Sequence, residues 1–274
     1  MLSGRRKVKD ICEMSDNRPI GVYDSGLGGL TVWVEVKKAL PHESLIYLGD
    51  GKNCPYGSRP KEEVRELADE AVRFLIEKGC KMVVVACNTA TAAAIGYLRK
   101  KYTEIPIVGM EPAVKPACQA TRTGVVGVLA TERSLDGDLF RHTLARYGEG
   151  VEVVTAPGRG FVELVEANKE NTPEAEACVG EAIQEMLRLG ADQIVLGCTH
   201  YPFLKSTLKK VLAGRDVEII DPAPAVARRV NYLLDRDNLH ADANHQPQYE
   251  FCTFSTEEYR LQLVHKAQLS VGLS

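Results

Sequence analysis

The chain has 274 residues, 45% of them hydrophobic, and a formal net charge of −3. That suits one large or two modest domains with an ample core, and no run of like charge is long enough to make a nucleic-acid surface. No signal-peptide-like apolar stretch opens the chain and no apolar run approaches a membrane span; the 8 cysteines (Cys12, Cys54, Cys80, Cys87, Cys118, Cys178, Cys198 and Cys252) are irregularly spaced without a Cys-x-x-Cys pair, so a reduced, cytoplasmic protein with free thiols is expected rather than a disulfide scaffold, zinc ribbon or thioredoxin-like protein.

Residues 1–17 are polar and aperiodic and read as a mobile extension. A first strand is expected at Pro19–Tyr23, ending on Asp24-Ser25, and Gly26–Gly29 leads into a helix that runs to about Leu40. A strand at Leu45–Leu48 and a loop through Asn53–Gly57 follow, and apolar residues at Val64, Leu67, Ala68, Ala71, Leu75 and Ile76 mark a helix over Lys61–Lys78. Next come a strand ending at Cys87, a helix over Ala92–Lys101 and a strand at Ile105–Gly109. The pattern then restarts with a strand at Gly124–Thr131, a helix near Asp136–Tyr147, a strand at Val151–Thr155 and a helix at Glu174–Leu189. A strand ending at Cys198, a helix near Phe203–Leu212 and a strand at Val217–Ile220 complete the second unit. This alternation predicts an α/β protein of two pseudo-symmetric lobes, each a mainly parallel sheet flanked by helices, with the active site between them. Residues 18–110 and 223–274 are expected to form the first lobe and 111–222 the second, with crossings at Pro112 and at Asp221–Pro224. Beyond about Asp237 no closing strand is evident.

Two cysteines stand in matching settings. Cys87 follows Val83-Val84-Val85-Ala86 and precedes Asn88-Thr89; Cys198 follows Ile194-Val195-Leu196-Gly197 and precedes Thr199-His200. Each apolar run reads as a buried parallel strand, and ligands of open α/β sheets bind beyond the carboxyl ends of strands. A cysteine at such a place is most often a small buried hydrophobe; two in the same context, each with polar neighbours, argue for chemistry. Thiols facing one carbon from opposite sides are what moving a proton between its two faces requires. The thiolate is the base, so each cysteine needs a proton-handling partner, and Asp24 for Cys87 and His200 for Cys198 are the candidates. Taken singly, Asp24 could merely cap a helix and His200 could be a packed histidine. Ser25, Asn88, Thr89 and Thr199 offer hydroxyl, amide and backbone N–H groups. Gly26–Gly29 lacks the lysine of a phosphate loop, and neither cysteine strand ends on a lysine that could hold pyridoxal phosphate. The remaining cysteines, Cys54 among them, read as structural or incidental.

These segments resemble the glutamate racemases of the aspartate/glutamate racemase superfamily: GVYDSGLGGLTV at 21–32, CPYGSRP at 54–60, ACNTATAAA at 86–94 and LGCTHYPFL at 196–204. The resemblance implies interconversion of L- and D-glutamate without cofactor or metal, Cys87 exchanging the α-proton on one face and Cys198 on the other, with the first cysteine acting on D-glutamate. It implies acid/base support from Asp24 and His200 and substrate binding by Asp24, Ser25, Tyr56, Gly57, Asn88, Thr89, Thr199 and His200. Thr131 and Glu166 fall where the family has further pocket residues, although the segment Ala156–Gly160 departs from the family's apolar pattern. It also implies a cytoplasmic homodimer that supplies D-glutamate for peptidoglycan and has no nucleic-acid or membrane partner. Aspartate racemisation is the nearest alternative, a hydrolase or amidase with Cys198 as nucleophile and His200 as base is a more distant one, and a non-enzymatic amino-acid binder is a third.

Overall fold

Ile20–Asp24, Leu45–Gly49, Met82–Val85 and Gln193–Gly197 are short runs buried along their whole length, the signature of central parallel strands covered on both faces. In the computed structural model residues 15–111 and 113–272 are described; the predicted extension up to residue 14, with Cys12, and the predicted crossing residue Pro112 lie outside the described residues. The chain runs β1 (Ile20–Asp24), α1 (Leu30–Ala39), β2 (Leu45–Gly49), α2 (Lys61–Glu77), β3 (Met82–Val85), α3 (Asn88–Lys101) and β4 (Ile107–Gly109). It continues through α4 (Val114–Ala120), β5 (Val125–Ala130), α5 (Glu132–Leu135), α6 (Asp138–Tyr147), β6 (Glu152–Pro157), α7 (Phe161–Glu166), α8 (Pro173–Arg188) and β7 (Gln193–Gly197). A 3-10 turn (Tyr201–Leu204), α9 (Lys205–Val211), β8 (Glu218–Ile220), α10 (Ala223–Asp237), β9 (Tyr249–Thr253) and α11 (Glu257–Gly272) follow.

All strand pairs are parallel, in two sheets ordered β4-β3-β1-β2-β9 and β6-β5-β7-β8. Counted within its own unit, each sheet repeats the order second, first, third, fourth, with β9 added at one edge of the first. The protein is thus a two-lobed α/β fold, and in both lobes the cysteine follows the third strand, beside the end of the first. The sequence of connections reverses between those two strands, which opens the crevice where such sheets bind ligands. The first sheet is packed by α1, α10 and α11 on one face, with Trp33, Val36 and Val230 in that core, and by α2 and α3 on the other, around Leu75 and Leu98.

Several elements differ from the sequence reading. A closing strand does exist: β9 lies parallel to β2, with Leu48 opposite Cys252. Its sequence, Tyr-Glu-Phe-Cys-Thr, is only half buried at the sheet edge, and Glu250 pairs with Lys78 at 2.7 Å; edge strands carry charge that a search for apolar runs passes over. Helix α3 starts at Asn88 rather than Ala92 because the Cys87 sulfur accepts the Ala90 N–H at 3.4 Å and caps the first turn. The helix expected near Asp136–Tyr147 is preceded by the short α5, with Gly137 between them. The short helix α7 is entered through Gly160 at φ 77°, a left-handed conformation that favours glycine.

Candidate active site

Cys87 stands two residues beyond the end of β3 and Cys198 one residue beyond the end of β7. Tyr23 is opposite Val85, so Asp24 ends β1 beside Ala86 and Cys87; Ala130 ends β5 opposite Gly197, so Thr131, the next residue, lies beside Cys198. The two cysteines are 5% and 7% exposed, and Cys198 is near enough that charge on it raises Cys87. Thus two thiols, one from each lobe, face a common interior almost closed to solvent.

On the first-lobe side Ser25 Oγ lies 3.6 Å from the Cys87 sulfur. Asp24 is fully buried; its Oδ1 accepts the Gly26 N–H at 3.0 Å and its Oδ2 accepts the Thr199 hydroxyl at 2.9 Å. Burial raises the Asp24 carboxyl above its ordinary value, against the charge of His200 and these two hydrogen bonds. Burial first, and the Asp24 carboxylate second, push the Cys87 thiol up to about 12. Cys87 therefore rests as a thiol. The side-chain amide oxygen Oδ1 of Asn88, the next residue, is buried without a hydrogen-bond partner, an acceptor left open in a closed site.

The second-lobe side is built differently. His200 Nδ1 lies 3.9 Å from the Cys198 sulfur, and its Nε2 lies 2.6 Å from Glu166 Oε1. The same Oε1 accepts the Leu27 N–H at 2.8 Å, and Oε2 accepts the Tyr259 hydroxyl at 2.8 Å. Burial by itself lowers the His200 imidazole, but hydrogen bonds to Cys198, Cys54 and Glu166 outweigh it and hold the group well above its ordinary 6.5. Glu166 is the mirror case: burial raises it, and the His200, Leu27 and Tyr259 contacts pull it below its ordinary 4.5. The resting pair is an imidazolium bonded to a carboxylate, with a ring N–H directed at Cys198.

The lobes are tied across this interior. Asp24 binds Thr199, Leu27 binds Glu166, and Thr89 Oγ1 lies 3.1 Å from Thr131 Oγ1. A Cβ on Gly28 would run into His200 Nδ1 and lie 2.6 Å from Thr199 Oγ1, so the Gly26–Gly29 segment serves close approach between lobes rather than phosphate binding. Of the predicted site residues, Asp24, Ser25, Cys87, Asn88, Thr89, Thr131, Glu166, Cys198, Thr199 and His200 converge on this interior. Gly57 packs against Thr131, where a Cβ would lie 3.2 Å from that residue's own, and both line a cleft of ≈ 310 Å³ that reaches Tyr201. The Tyr56 hydroxyl is engaged elsewhere: it accepts from Tyr23 at 2.8 Å and donates to Asp50 at 2.6 Å, and the residue is 1% exposed.

Three participants escaped the sequence reading. Cys54, taken as incidental, points its sulfur at Glu166 Oε1 from 3.7 Å, and burial raises it to about 11; its place directly before Pro55-Tyr56-Gly57 was the available signal. Tyr259 comes from α11, in the tail that carried no recognised pattern. Asp50 holds the Tyr56 hydroxyl, and only its place at the end of β2 hinted at it.

The fold and this interior define a two-lobed α/β protein with a pair of strand-end thiols, one near a buried aspartate and the other beside a histidine. A family model described as Asp/Glu/Hydantoin racemase matches residues 34–230. A glutamate racemase of Roseiflexus sp. (strain RS-1) is 46% identical over 259 residues, 93% of this chain and 95% of that protein. Among solved structures, a glutamate racemase isoform from Bacillus anthracis superposes with a TM-score of 0.83 at 35% identity, covering 94% of this chain and 95% of that one. A glutamate racemase from Francisella tularensis in complex with D-glutamate gives 0.80 at 28% identity, covering 94% of each. The chain belongs to the Asp/Glu/Hydantoin racemase family.

Proposed function

We infer that this protein is a glutamate racemase that interconverts L- and D-glutamate by proton transfer at Cα. The observation that carries the mechanism is the placement of Cys87 and Cys198 at equivalent strand ends of two repeated lobes, facing one interior. In the proposed cycle one cysteine, as thiolate, takes the α-proton from one face of glutamate, and the opposing thiol gives its proton to the other face. The first cysteine ends protonated and the second ends as thiolate, so atoms and charge balance without a redox step. Cys87, which rests as a thiol, becomes a base when its proton passes to the Asp24 carboxylate, a transfer that the positive charge of the substrate ammonium favours by stabilising the thiolate. The open Asn88 Oδ1 is a fitting acceptor for that ammonium, and the N–H groups opening α3 suit a carboxylate. His200, held as imidazolium by Glu166, supports Cys198: it stabilises the thiolate and carries the proton exchanged there. Negative charge developing on the substrate is met by these donors in a nearly dry interior.

D-glutamate made this way supplies peptidoglycan synthesis, which agrees with action in the cytoplasm; among the described residues no helix is long and apolar enough to cross a membrane. The family resemblance implies association of two copies, and sedimentation velocity tests it. The function is tested by incubating L- and D-glutamate and L- and D-aspartate separately in deuterium oxide without added cofactor and following deuterium at Cα. Both glutamate enantiomers should exchange and racemise. Faster exchange of aspartate would make the protein an aspartate racemase, and release of ammonia from an amide without Cα exchange would make it a hydrolase.

A further inference from the structure

Cys54 has no task in the proton transfers above, yet it is a free thiol directed at the heart of the second-lobe machinery. We propose that Cys54, Glu166 and His200 form a binding site for a thiophilic divalent cation of the zinc class, and that filling it reversibly inhibits the protein by taking the His200 nitrogen that exchanges a proton with Glu166. The inhibition rests on the racemase reading; the binding does not.

One sulfur, one nitrogen and one oxygen donor all lie within 4.8 Å of one another. This mixed set suits zinc, whereas calcium and magnesium take oxygen ligands. Tetrahedral zinc with bonds of about 2.0–2.3 Å sets its sulfur and oxygen ligands roughly 3.6 Å apart and its nitrogen and oxygen ligands roughly 3.3 Å apart. The Cys54 sulfur is already 3.7 Å from Glu166 Oε1. His200 Nε2, at 2.6 Å from the same oxygen, needs to open by about 0.7 Å on that geometry, the room a cation takes when it replaces the shared proton. The thiol proton of Cys54 and the ring proton on Nε2 leave to solvent on binding, and no group is oxidised or reduced.

The surroundings suit a metal site as well. Tyr259 and Leu27 donate to the Glu166 carboxylate and fix its direction, as outer hydrogen bonds do for metal-binding carboxylates. Gly26 supplies the wall; a Cβ there would strike Glu166 Oε1 and come within 2.9 Å of the Cys54 sulfur. Three protein ligands leave a fourth position for water. With its Nε2 on the cation, His200 no longer exchanges a proton with Glu166, and the imidazole beside Cys198 is cut off from the carboxylate that sets its charge.

The test is a cobalt(II) titration of the full chain after chelator treatment, followed by competition with zinc. One equivalent should bind, with a thiolate-to-cobalt charge-transfer band and the visible bands of tetrahedral cobalt. Cys54→Ala should lose the charge-transfer band and weaken binding by roughly 10- to 100-fold. Cys54→Ser, which keeps a hydroxyl toward Glu166, should behave the same way and guards against misfolding of the alanine variant. Cys87→Ala and Cys198→Ala should keep both band and affinity. Zinc should suppress racemisation in the wild type, a chelator should restore it, and Cys54→Ser should need correspondingly more zinc for the same fractional loss. The site is overturned if no equivalent binds, if the band survives without Cys54, or if it disappears with Cys87 or Cys198. Stoichiometric binding through Cys54 that leaves racemisation untouched overturns the inhibition, and a cobalt site on a protein inert toward glutamate counts against the racemase reading alone.

Discussion

The two lobes repeat one strand order and put a cysteine after the third strand, yet they handle the proton differently. In the first lobe the residue at the end of the first strand is Asp24, and the position two beyond the cysteine is Thr89. In the second lobe the same places hold Ala130 and His200. The carboxylate stays on the first-lobe strand, while the second lobe borrows one from α7 as Glu166 and bonds it to the imidazole. One thiol therefore faces an acidic, buried environment that raises it, and the other faces a fixed imidazolium. The repeated scaffold secures two-sided placement, and on the proposed mechanism the unlike partners give each face its own proton chemistry. A substrate whose two faces differ only in the position of the α-proton needs both.

The largest effect should come from removing either thiol. Cys87→Ser and Cys198→Ser should each lower kcat/KM by about 10²- to 10⁴-fold in both directions, read by circular dichroism of glutamate, because a serine hydroxyl is far too weak an acid to serve as the base. Near wild-type racemisation in either variant would leave the other cysteine acting alone and break the comparison.

Next in size are the partners. Asp24→Asn should slow Cα exchange on the Cys87 face, and His200→Asn on the Cys198 face, each by about 100-fold. The overall equilibrium is fixed, so the net rates fall together, and the asymmetry appears in solvent exchange from each enantiomer measured separately. Equal losses from both enantiomers in both variants would dissolve the assignment of one partner to each thiol.

A smaller effect concerns the ion pair that sets the second lobe apart. Glu166→Gln should cost about 2 kcal/mol of stability near neutral pH, the worth of a partly buried hydrogen bond to a charged group. The sign of its pH dependence follows from the two shifts. His200 is raised, so its contribution is complete below the ordinary 6.5 and is lost as pH rises through its folded value. Glu166 is lowered, so its contribution is complete above the ordinary 4.5 and is lost as pH falls through its folded value. The gap between wild type and variant in urea denaturation should therefore be widest between 4.5 and 6.5 and narrow on both sides. A gap that grows steadily with pH would mean that the pair is not charged.

The smallest effect is expected at Tyr259→Phe, which removes one donor from Glu166 and should cost about 1 kcal/mol. With the carboxylate less firmly held, the basic limb of the pH–rate profile should move to lower pH. An unchanged profile would leave Tyr259 as packing only.

Much of this was legible before the structure. Buried parallel strands advertise themselves as β-branched runs, so both cysteine strands, the two-lobed α/β plan and the residues next to the thiols followed from the chain. What depends on distant contacts did not. Glu166 was named only through the family resemblance, and its pairing was not foreseen: it lies on the six-residue α7 behind a glycine turn, and only the folded chain brings it to His200 and Leu27. Tyr259 reaches the same carboxylate from α11, whose register depends on an edge strand too polar to be recognised. Cys54 looked incidental because one thiol in a loop carries no pattern, and its meaning comes from the two residues it meets. Tyr56 is expected at the substrate, and what the chain could not show is that Asp50 and Tyr23 hold its hydroxyl, since a buried phenol takes the partners its neighbours provide.

The central claim is that two different thiols act on opposite faces, and the isotope content of the first product molecules tests it most directly. Protiated L-glutamate, and separately D-glutamate, is converted to a few per cent in deuterium oxide, and both enantiomers are then recovered and weighed by mass spectrometry. Proton removal by one thiol and delivery by another predicts product carrying deuterium at Cα while the remaining substrate keeps its protium, from either starting enantiomer. Protium carried over into the product, with deuterium appearing in the substrate pool, would mean that a single group serves both faces and would contradict the account.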